Sequence, residues 1–269
     1  MRSYIYICNI QIIIMKPLFQ IGVFSVFALV SCKSAYDVTS VHPEENTYIT
    51  NQLKEDSNLN ALIAPYKAEL EGKMNTQISH TNIELNKKGD NSNLGNLLAD
   101  YTFEGADEWC AKNNFPPIDA AVINIGGIRS IIGAGPITTK QVYEVMPFEN
   151  EVVIVKIKGK DVQGLFDYYA KTQKNNPVSH LVIETDQDAI SKQLINGEAL
   201  KPERDYYIAT SDYLALGGDN MKFFSKGEMI ETGIKMRDLF MEKFKSQPEV
   251  SVPDDVRLIF KNKKSEINE

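Results

Sequence analysis

The chain has 269 residues, enough for one large domain or two small ones. Asp and Glu outnumber Lys and Arg by 36 to 29, a formal charge of −7 that argues against nonspecific nucleic-acid binding, which needs clustered positive charge. Small phosphorylated ligands stay open, because they need only local positive charge.

Residues Pro17 to Ser31 form an apolar, uncharged stretch behind Lys16 and end in Leu29-Val30-Ser31-Cys32. A basic start, an apolar run and small residues at the exit describe a secretory signal over residues 1–31. The run is shorter than the roughly 20 residues a spanning helix requires. The Leu-Val-Ser-Cys ending resembles a bacterial lipobox, which makes Cys32 the expected lipidation site and the cell envelope, facing periplasm or outside, the expected location. An ordinary signal cut elsewhere and an uncleaved anchor remain open, as does a start at Met15 instead of Met1. Cleavage before Cys32 keeps only Cys32 and Cys110, and lipidation leaves Cys110 alone, so neither an internal disulfide nor a cysteine metal cluster is expected. Cys110 follows Trp109 in a helical pattern and reads as a core or boundary residue, without a local base to activate it.

Residues 32–57 are polar and read as a tether to a folded body over 58–262, with a polar tail at 263–269. Asn58 to Met74 spaces Leu59, Leu62, Ile63, Tyr66 and Leu70 as a helix does. Gln77 to Leu85 reads as extended and ends in the turn Asn86-Lys87-Lys88-Gly89-Asp90. Asn93 is the expected N-cap of a second helix, since its side chain can accept an orphan helix N–H. Ile118 to Ile125 reads as a buried strand, Thr138 to Val145 as a short Thr-capped helix, and Val152 to Lys158 as a strand with Val153, Val155 and Ile157 on one side. Asp161 to Ala170 reads as an amphipathic helix, and Leu181 to Thr185, Asp205 to Ala209 and Val256 to Phe260 as strands. Thr232 to Phe244 reads as a strong helix. Strands and helices mix without strict βαβ alternation, which favours an α+β fold.

Two glycine pairs stand out. Gly126-Gly127 follows a buried strand and precedes Arg129, a side chain suited to bidentate contact with phosphate. Gly217-Gly218 precedes Asp219, whose carboxylate can accept two hydrogen bonds from a vicinal diol. Each alone is ordinary turn chemistry. Together, Asn93-Leu94-Gly95-Asn96-Leu97, Asn124-Ile125-Gly126-Gly127-Ile128-Arg129, Met146-Pro147-Phe148 and Tyr213-Leu214-Ala215-Leu216-Gly217-Gly218-Asp219 resemble the ordered motifs of the 5′-nucleotidase C-terminal domain. That domain occurs in periplasmic and surface 5′-nucleotidases, UDP-sugar hydrolases and cyclic-nucleotide phosphodiesterases. The resemblance runs from about Ala61 to about Phe260.

The resemblance implies an α+β fold, layered α/β/β/α, with a nucleotide or nucleoside site built from loops. It implies that Arg129 and Lys88 meet the phosphate, that Asn124 bonds near the base or sugar, that Phe148 and Tyr213 sandwich the base, and that Asp219 holds the ribose. Stacking on aromatics contributes about 1–3 kcal/mol per base and tolerates different bases. The chain departs from the family pattern at four places: Lys88 stands for an Arg, Asn91 for an acid, Leu216 for an Asn and His180 for a Gly. Lysine keeps the charge but loses the planar fork.

Family members hydrolyse with two metals held by Asp-x-His, Gly-Asp, Asn-His-Glu and Gly-x-His segments. Here only His42, His80 and His180 occur, widely separated and outside any such segment. No catalytic residue, metal ligand or cofactor is therefore expected on this chain. The expected partner is a separately encoded metallophosphatase domain carrying two divalent metals, giving a split nucleotidase. A nucleotide-binding receptor without catalysis, and an envelope interaction protein with a decayed site, are the other readings.

Overall fold

The computed structural model describes residues 53–263 together with Ser40, Asn46 and residues 48–50. The expected leader, Cys32, His42, most of the expected tether and residues 264–269 lie outside the described residues. The chain divides after Asp56, and the folded unit begins at Ser57.

Helix α1 (Ser57–Met74) opens this unit. Strand β1 (Gln77–Thr81), helix α2 (Asn93–Asn113), strand β2 (Ala120–Val122), strand β3 (Gly135–Thr138) and helix α3 (Thr139–Val145) follow. Next come β4 (Glu151–Lys158), α4 (Gly159–Thr172), β5 (Val178–Ser179), β6 (Leu181–Asp186), β7 (Ala189–Ile195), β8 (Glu198–Ala199) and β9 (Asp205–Ser211). The short helix α5 (Asp212–Ala215), strand β10 (Glu228–Lys235), helix α6 (Met236–Ser246) and strand β11 (Leu258–Lys261) complete the order. A five-stranded sheet, β10-β4-β9-β2-β5, forms the centre; a four-stranded sheet, β11-β6-β7-β8, and the ribbon β1-β3 accompany it.

The central sheet carries a core on each face, as the alternation of β4 dictates. Val152 and Ile154 enter one core with Leu94, Leu98 and Tyr101 of α2 and Phe240 and Phe244 of α6. Val153, Val155 and Ile157 enter the other with Leu165, Phe166 and Tyr169 of α4 and Ile183 of β6. Successive strand side chains point to opposite faces, so a strand buried on both faces reads as a continuous apolar run. The expected grouping of Val153, Val155 and Ile157 on one side holds.

Helix α3 begins as read, with a full capping box: the Thr138 hydroxyl accepts from the Gln141 N–H and the Gln141 side chain accepts from the Thr138 N–H. Other boundaries move. The N-cap of α2 is Ser92, one residue before the expected Asn93; the Asn93 carboxamide instead accepts from Asn86 N–H at 2.8 Å and donates to the Glu84 carbonyl at 2.9 Å, bracing the turn behind it. The extended run to Leu85 is a strand only to Thr81, and Leu85 makes an isolated bridge to Ile132.

The largest correction concerns Thr232 to Phe244. Its first four residues belong to β10, which pairs with β4, and the helix starts only at Met236. Ile230, Thr232 and Ile234 are half-buried at alternate positions, a period of two. Gly233 takes a φ of 74° where the β10–β4 register shifts, a bulge that suits glycine.

Arg257, 5% exposed, ties three elements together. Its guanidinium bonds both Asp100 oxygens at 2.8 Å, Asp255 at 2.8 Å and the Val178 carbonyl at 2.7 Å. Nearby His180 links β5 to β6 with a φ of 58°, the left-handed conformation a glycine adopts freely. Its ring stacks on Phe103 at 3.7 Å, and Nδ1 lies 2.9 Å from Ser179 Oγ, which also donates to Asp100. Burial of the ring lowers its pKa, against the pull of Asp100. Cys110 is buried, and burial raises its thiol pKa to about 11, in keeping with a core residue.

Two outcomes follow. Arg257→Ala leaves Asp100, a quarter exposed, with only the Ser179 hydroxyl for a partner and is expected to cost about 3 kcal/mol in urea unfolding, only partly recovered by Arg257→Lys. His180→Gly relieves about 1–2 kcal/mol of left-handed strain, against about 0.5–1 for glycine's unfolded freedom and about 0.5–1.5 for the lost stack, so little change is expected at pH 8. Because the folded-state pKa is depressed, the wild type holds this stability above the unfolded value of 6.5 and loses it as pH falls through the folded value. The variant is therefore expected to gain on the wild type between pH 8 and pH 5, read from the two urea midpoints.

Candidate functional site

Strand pairing decides which loops meet. β2 and β9 are parallel neighbours, Ala120 opposite Ile208 and Ala121 opposite Ala209, so the segments leaving both strands emerge at one end of the sheet. β4 is antiparallel to β9 with Val152 opposite Ser211, and β5 is antiparallel to β2 with Val178 opposite Val122. The segments entering β4 and β5 therefore reach that same end. Three of the four motif segments converge there: Asn124 to Arg129 after β2, Met146 to Phe148 before β4, and Tyr213 to Asp219 after β9. Ligand sites in open sheets favour the ends of strands, where loops with free polar groups collect.

Hydrogen bonds lock these segments to one another. Arg129 N–H donates to the Val145 carbonyl at 2.8 Å, joining the Gly-Gly loop to the segment that carries Phe148. Asn150 Nδ2 donates to Asp212 Oδ1 at 2.7 Å, joining the Phe148 segment to the one that carries Tyr213. Arg237, on α6 and 8% exposed, pairs with Glu149 and donates to the Pro147 carbonyl at 3.3 Å, with its guanidinium 4.4 Å from the Tyr143 ring centre. The Phe148 segment is thus braced from both sides.

What remains outward is chemically selective. Phe148 and Tyr213 are 44% and 43% exposed, unusual for large rings held in place by their neighbours. Tyr213 OH donates to Asp219 Oδ1 at 3.1 Å and accepts from Asp219 N–H at 3.2 Å, which fixes ring and carboxylate as a unit. Gly218 permits this: a Cβ there would stand 2.5 Å from the Tyr213 carbonyl oxygen and 2.6 Å from its ring. Asp219 itself takes a left-handed φ of 51°. Burial raises the pKa of the Tyr168 hydroxyl, and the Asp219 charge adds to the rise. Arg129 is exposed, one guanidinium nitrogen bonding the Gly126 carbonyl at 3.1 Å. The Asn124 side chain lies over Gly127, where a Cβ would come within 3.1 Å of its oxygen.

The turn before α2 behaves differently from its reading. Lys88 is exposed, and its N–H is taken by Asn86 Oδ1 at 3.0 Å. The adjacent Lys87 is the lysine that reaches the Gly-Gly loop, with Nζ 2.7 Å from the Ile128 carbonyl. Asn91, where an acid was expected, serves the fold: its oxygen accepts from Arg257 N–H and Leu258 N–H, and its amide donates to the Leu258 carbonyl at 2.7 Å. Leu216 is 75% exposed and lies outside both cores. Lys87 and Arg237 were missed in the sequence because each acts through a fold-dependent contact. For Lys87, its place next to Lys88 was the available signal.

Among the described residues, no group of three His, Cys, Asp or Glu side chains could hold a metal ion. No step of hydrolysis is assigned to these residues.

The profile of the 5′-nucleotidase C-terminal domain matches residues 71–226. Protein UshA of Yersinia enterocolitica is 28% identical over 186 residues, 65% of this chain and 32% of UshA. Cell wall protein Lmo0130 of Listeria monocytogenes is 24% identical over 241 residues, 80% of this chain and 30% of that protein. A crystal structure of a 5′-nucleotidase precursor from Thermus thermophilus superimposes with a TM-score of 0.64 at 24% identity, covering 77% of this chain and 44% of that one. The chain spans about a third of the length of these curated relatives. The converging loops and the match over more than half of its length agree: this chain belongs to the 5′-nucleotidase C-terminal domain family.

Proposed function

We propose that this chain binds extracytoplasmic nucleotides at the loop end of its central sheet and serves as the substrate-binding part of a split 5′-nucleotidase. The observation that carries this reading is the set of outward groups there: two exposed aromatic rings, a carboxylate held beside one of them, and an exposed arginine. Phe148 and Tyr213 take the base between them, Asp219 accepts from the ribose hydroxyls through the oxygen Tyr213 leaves free, and Arg129 meets the phosphate. Asn124 bonds near the sugar. Lys88 supplies further positive charge from its exposed turn. Hydrolysis falls to a separately encoded metallophosphatase domain bearing two divalent metals. Lipidation at Cys32 holds the chain at the envelope, a reading supported by the lipobox-like Leu29 to Cys32 and by a relative named as a cell wall protein.

Calorimetry of the chain with AMP and adenosine tests the site. Arg129→Ala is expected to weaken AMP by about tenfold or more and to leave adenosine unchanged, since a charge-assisted hydrogen bond contributes about 1.5–3 kcal/mol. Asp219→Ala is expected to weaken both ligands, and Phe148→Ala to cost about 1–3 kcal/mol for either. Absence of binding to the wild type in both titrations would refute the nucleotide site. The split arrangement is tested by mixing the chain with a family metallophosphatase domain and Mn²⁺ or Zn²⁺. Phosphate release from AMP should need both parts and should fall with Arg129→Ala; binding without release under any pairing would leave a non-catalytic receptor.

A further inference from the structure

Phe148 stands on the short connection between α3 and β4, and the two ends of that connection are fixed by backbone bonds. Met146 N–H donates to the Val142 carbonyl at 2.9 Å, closing α3. The Asn150 carbonyl accepts from Met236 N–H at 2.9 Å, where α6 begins. Between these ends the backbone does little for itself, since Pro147 has no N–H to donate. Among the described residues, the only hydrogen bonds and ion pair that reach Pro147, Phe148 or Glu149 come from one side chain, Arg237.

Arg237 holds the residue on each side of Phe148 with a different nitrogen of one planar group. Nη1 donates to the Pro147 carbonyl at 3.3 Å, and Nη2 donates to the Glu149 carboxylate. The central carbon of the guanidinium lies 4.4 Å from the centre of the Tyr143 ring on α3, a cation–π contact that fixes the group from a second side. Nε is buried and has no partner among the described residues. A buried, incompletely bonded charge is a weak source of stability, and an apolar side chain of similar volume often serves a fold as well or better. What an apolar side chain cannot supply is the fork, which sets Pro147 and Glu149 relative to each other. Lysine, a point charge on a flexible stem, cannot supply it either.

We infer that Arg237 is a positioning residue of the nucleotide site: by gripping the residues before and after Phe148, it presents that ring to the base. The inference rests on the nucleotide reading above and adds to it what aims the stacking ring. The groups assigned to ribose and phosphate stand on other segments, and their ties to this connection lie outside the gripped stretch. Arg129 N–H bonds the Val145 carbonyl ahead of it, and Asp212 takes its bond from Asn150 behind it. A ligand with a base therefore depends on Arg237, and a ligand without one does not.

Calorimetry with AMP and with ribose 5-phosphate, which carries the sugar and phosphate but no base, tests this. Arg237→Gln is expected to weaken AMP about fivefold, a large part of one stacking contact, and to change ribose 5-phosphate less than about twofold. Arg237→Lys keeps the charge without the fork and should lose nearly as much. On a Phe148→Ala background, Arg237→Gln should weaken AMP by less than about twofold, because the ring it aims is gone. Equal weakening of both ligands, or the same fivefold loss on the Phe148→Ala background, would overturn the inference. So would a fall in Tm with AMP affinity intact. Where ribose 5-phosphate binds too weakly to read, the Phe148→Ala comparison decides alone. If Arg237→Gln does not fold, Glu149→Gln, a change at a side chain 70% exposed, removes one of the two grips and is judged by the same criteria. If the wild type binds no AMP, the nucleotide reading fails by itself, and a fluorine label on the Phe148 ring judges the positioning in the unliganded protein. A resonance that moves toward its unfolded position in Arg237→Gln supports it, and one that stays in place rejects it.

Discussion

The parallel pairing of β2 with β9 is the constraint on which the rest of the structure depends. Parallel neighbours must send their following segments to one end of a sheet, and here those segments are the Gly-Gly-Arg129 loop and the Tyr213–Asp219 turn. Reversing either strand would place arginine and carboxylate at opposite ends of the sheet, separated by the length of the strands. The antiparallel partners β4 and β5 then add their entering segments to the same end. Residues separated by about ninety positions in the chain, Asn124 and Asp219 among them, owe their proximity to two rungs of backbone hydrogen bonds.

Convergence alone would leave four mobile loops. What turns them into a surface is a set of short polar links between loops rather than within them: Asn150 to Asp212, Arg129 N–H to Val145, Lys87 to Ile128 and Arg237 to Pro147. The first two links use backbone groups or short planar side chains, which lose little conformational freedom on ordering; Lys87 and Arg237 give up more, and Arg237 offsets it with its pairing to Glu149 and its contact with the Tyr143 ring. The rings of Phe148 and Tyr213 can stay exposed because their backbones are fixed by these links and not by burial of the rings. The acidic balance of the chain does not oppose this, since positive charge is gathered locally: Arg129 ends the Gly-Gly loop and the Lys87 ammonium reaches its Ile128 carbonyl.

Much of this was readable in the residues and some was not, for definable reasons. Apolar runs such as Val152 to Ile157 and the amphipathic stretch of α4 carry their period openly, and the Thr138–Gln141 box announces the start of α3. Gly218 has a reason the residues alone do not show: a side chain there would strike Tyr213. The boundary between β10 and α6 was hidden because Ile230 and Ile234 stand four apart, a spacing that fits a helix as well as a strand; pairing with β4 decided it. Asn93 was misassigned as a cap, and Asn91 was noted only as a departure from the family pattern, because an amide's partner is chosen by the fold: Asn91 turned to β11 and Asn93 to the preceding turn. Arg257 gave no local signal, its partners Asp100 and Val178 lying far away in the chain. His180 was noted as out of place for its position, and its left-handed backbone supplies the physical meaning of that oddity.

Helix α1 contributes no buried residue, and Leu59, Leu62, Ile63, Tyr66 and Leu70 are each more than half exposed. Its cooperativity is therefore separate from that of the core. Eighteen residues are near the shortest length at which an isolated helix persists in water, and Pro65 removes one donor from its ladder. Few buried apolar contacts mark a segment of low local stability, so α1 is held by its own ladder and by the seam behind it, where Thr139 N–H donates to the Thr76 carbonyl at 3.0 Å, and not by either core. Urea midpoints of the folded unit therefore weigh the two cores more heavily than its leading helix.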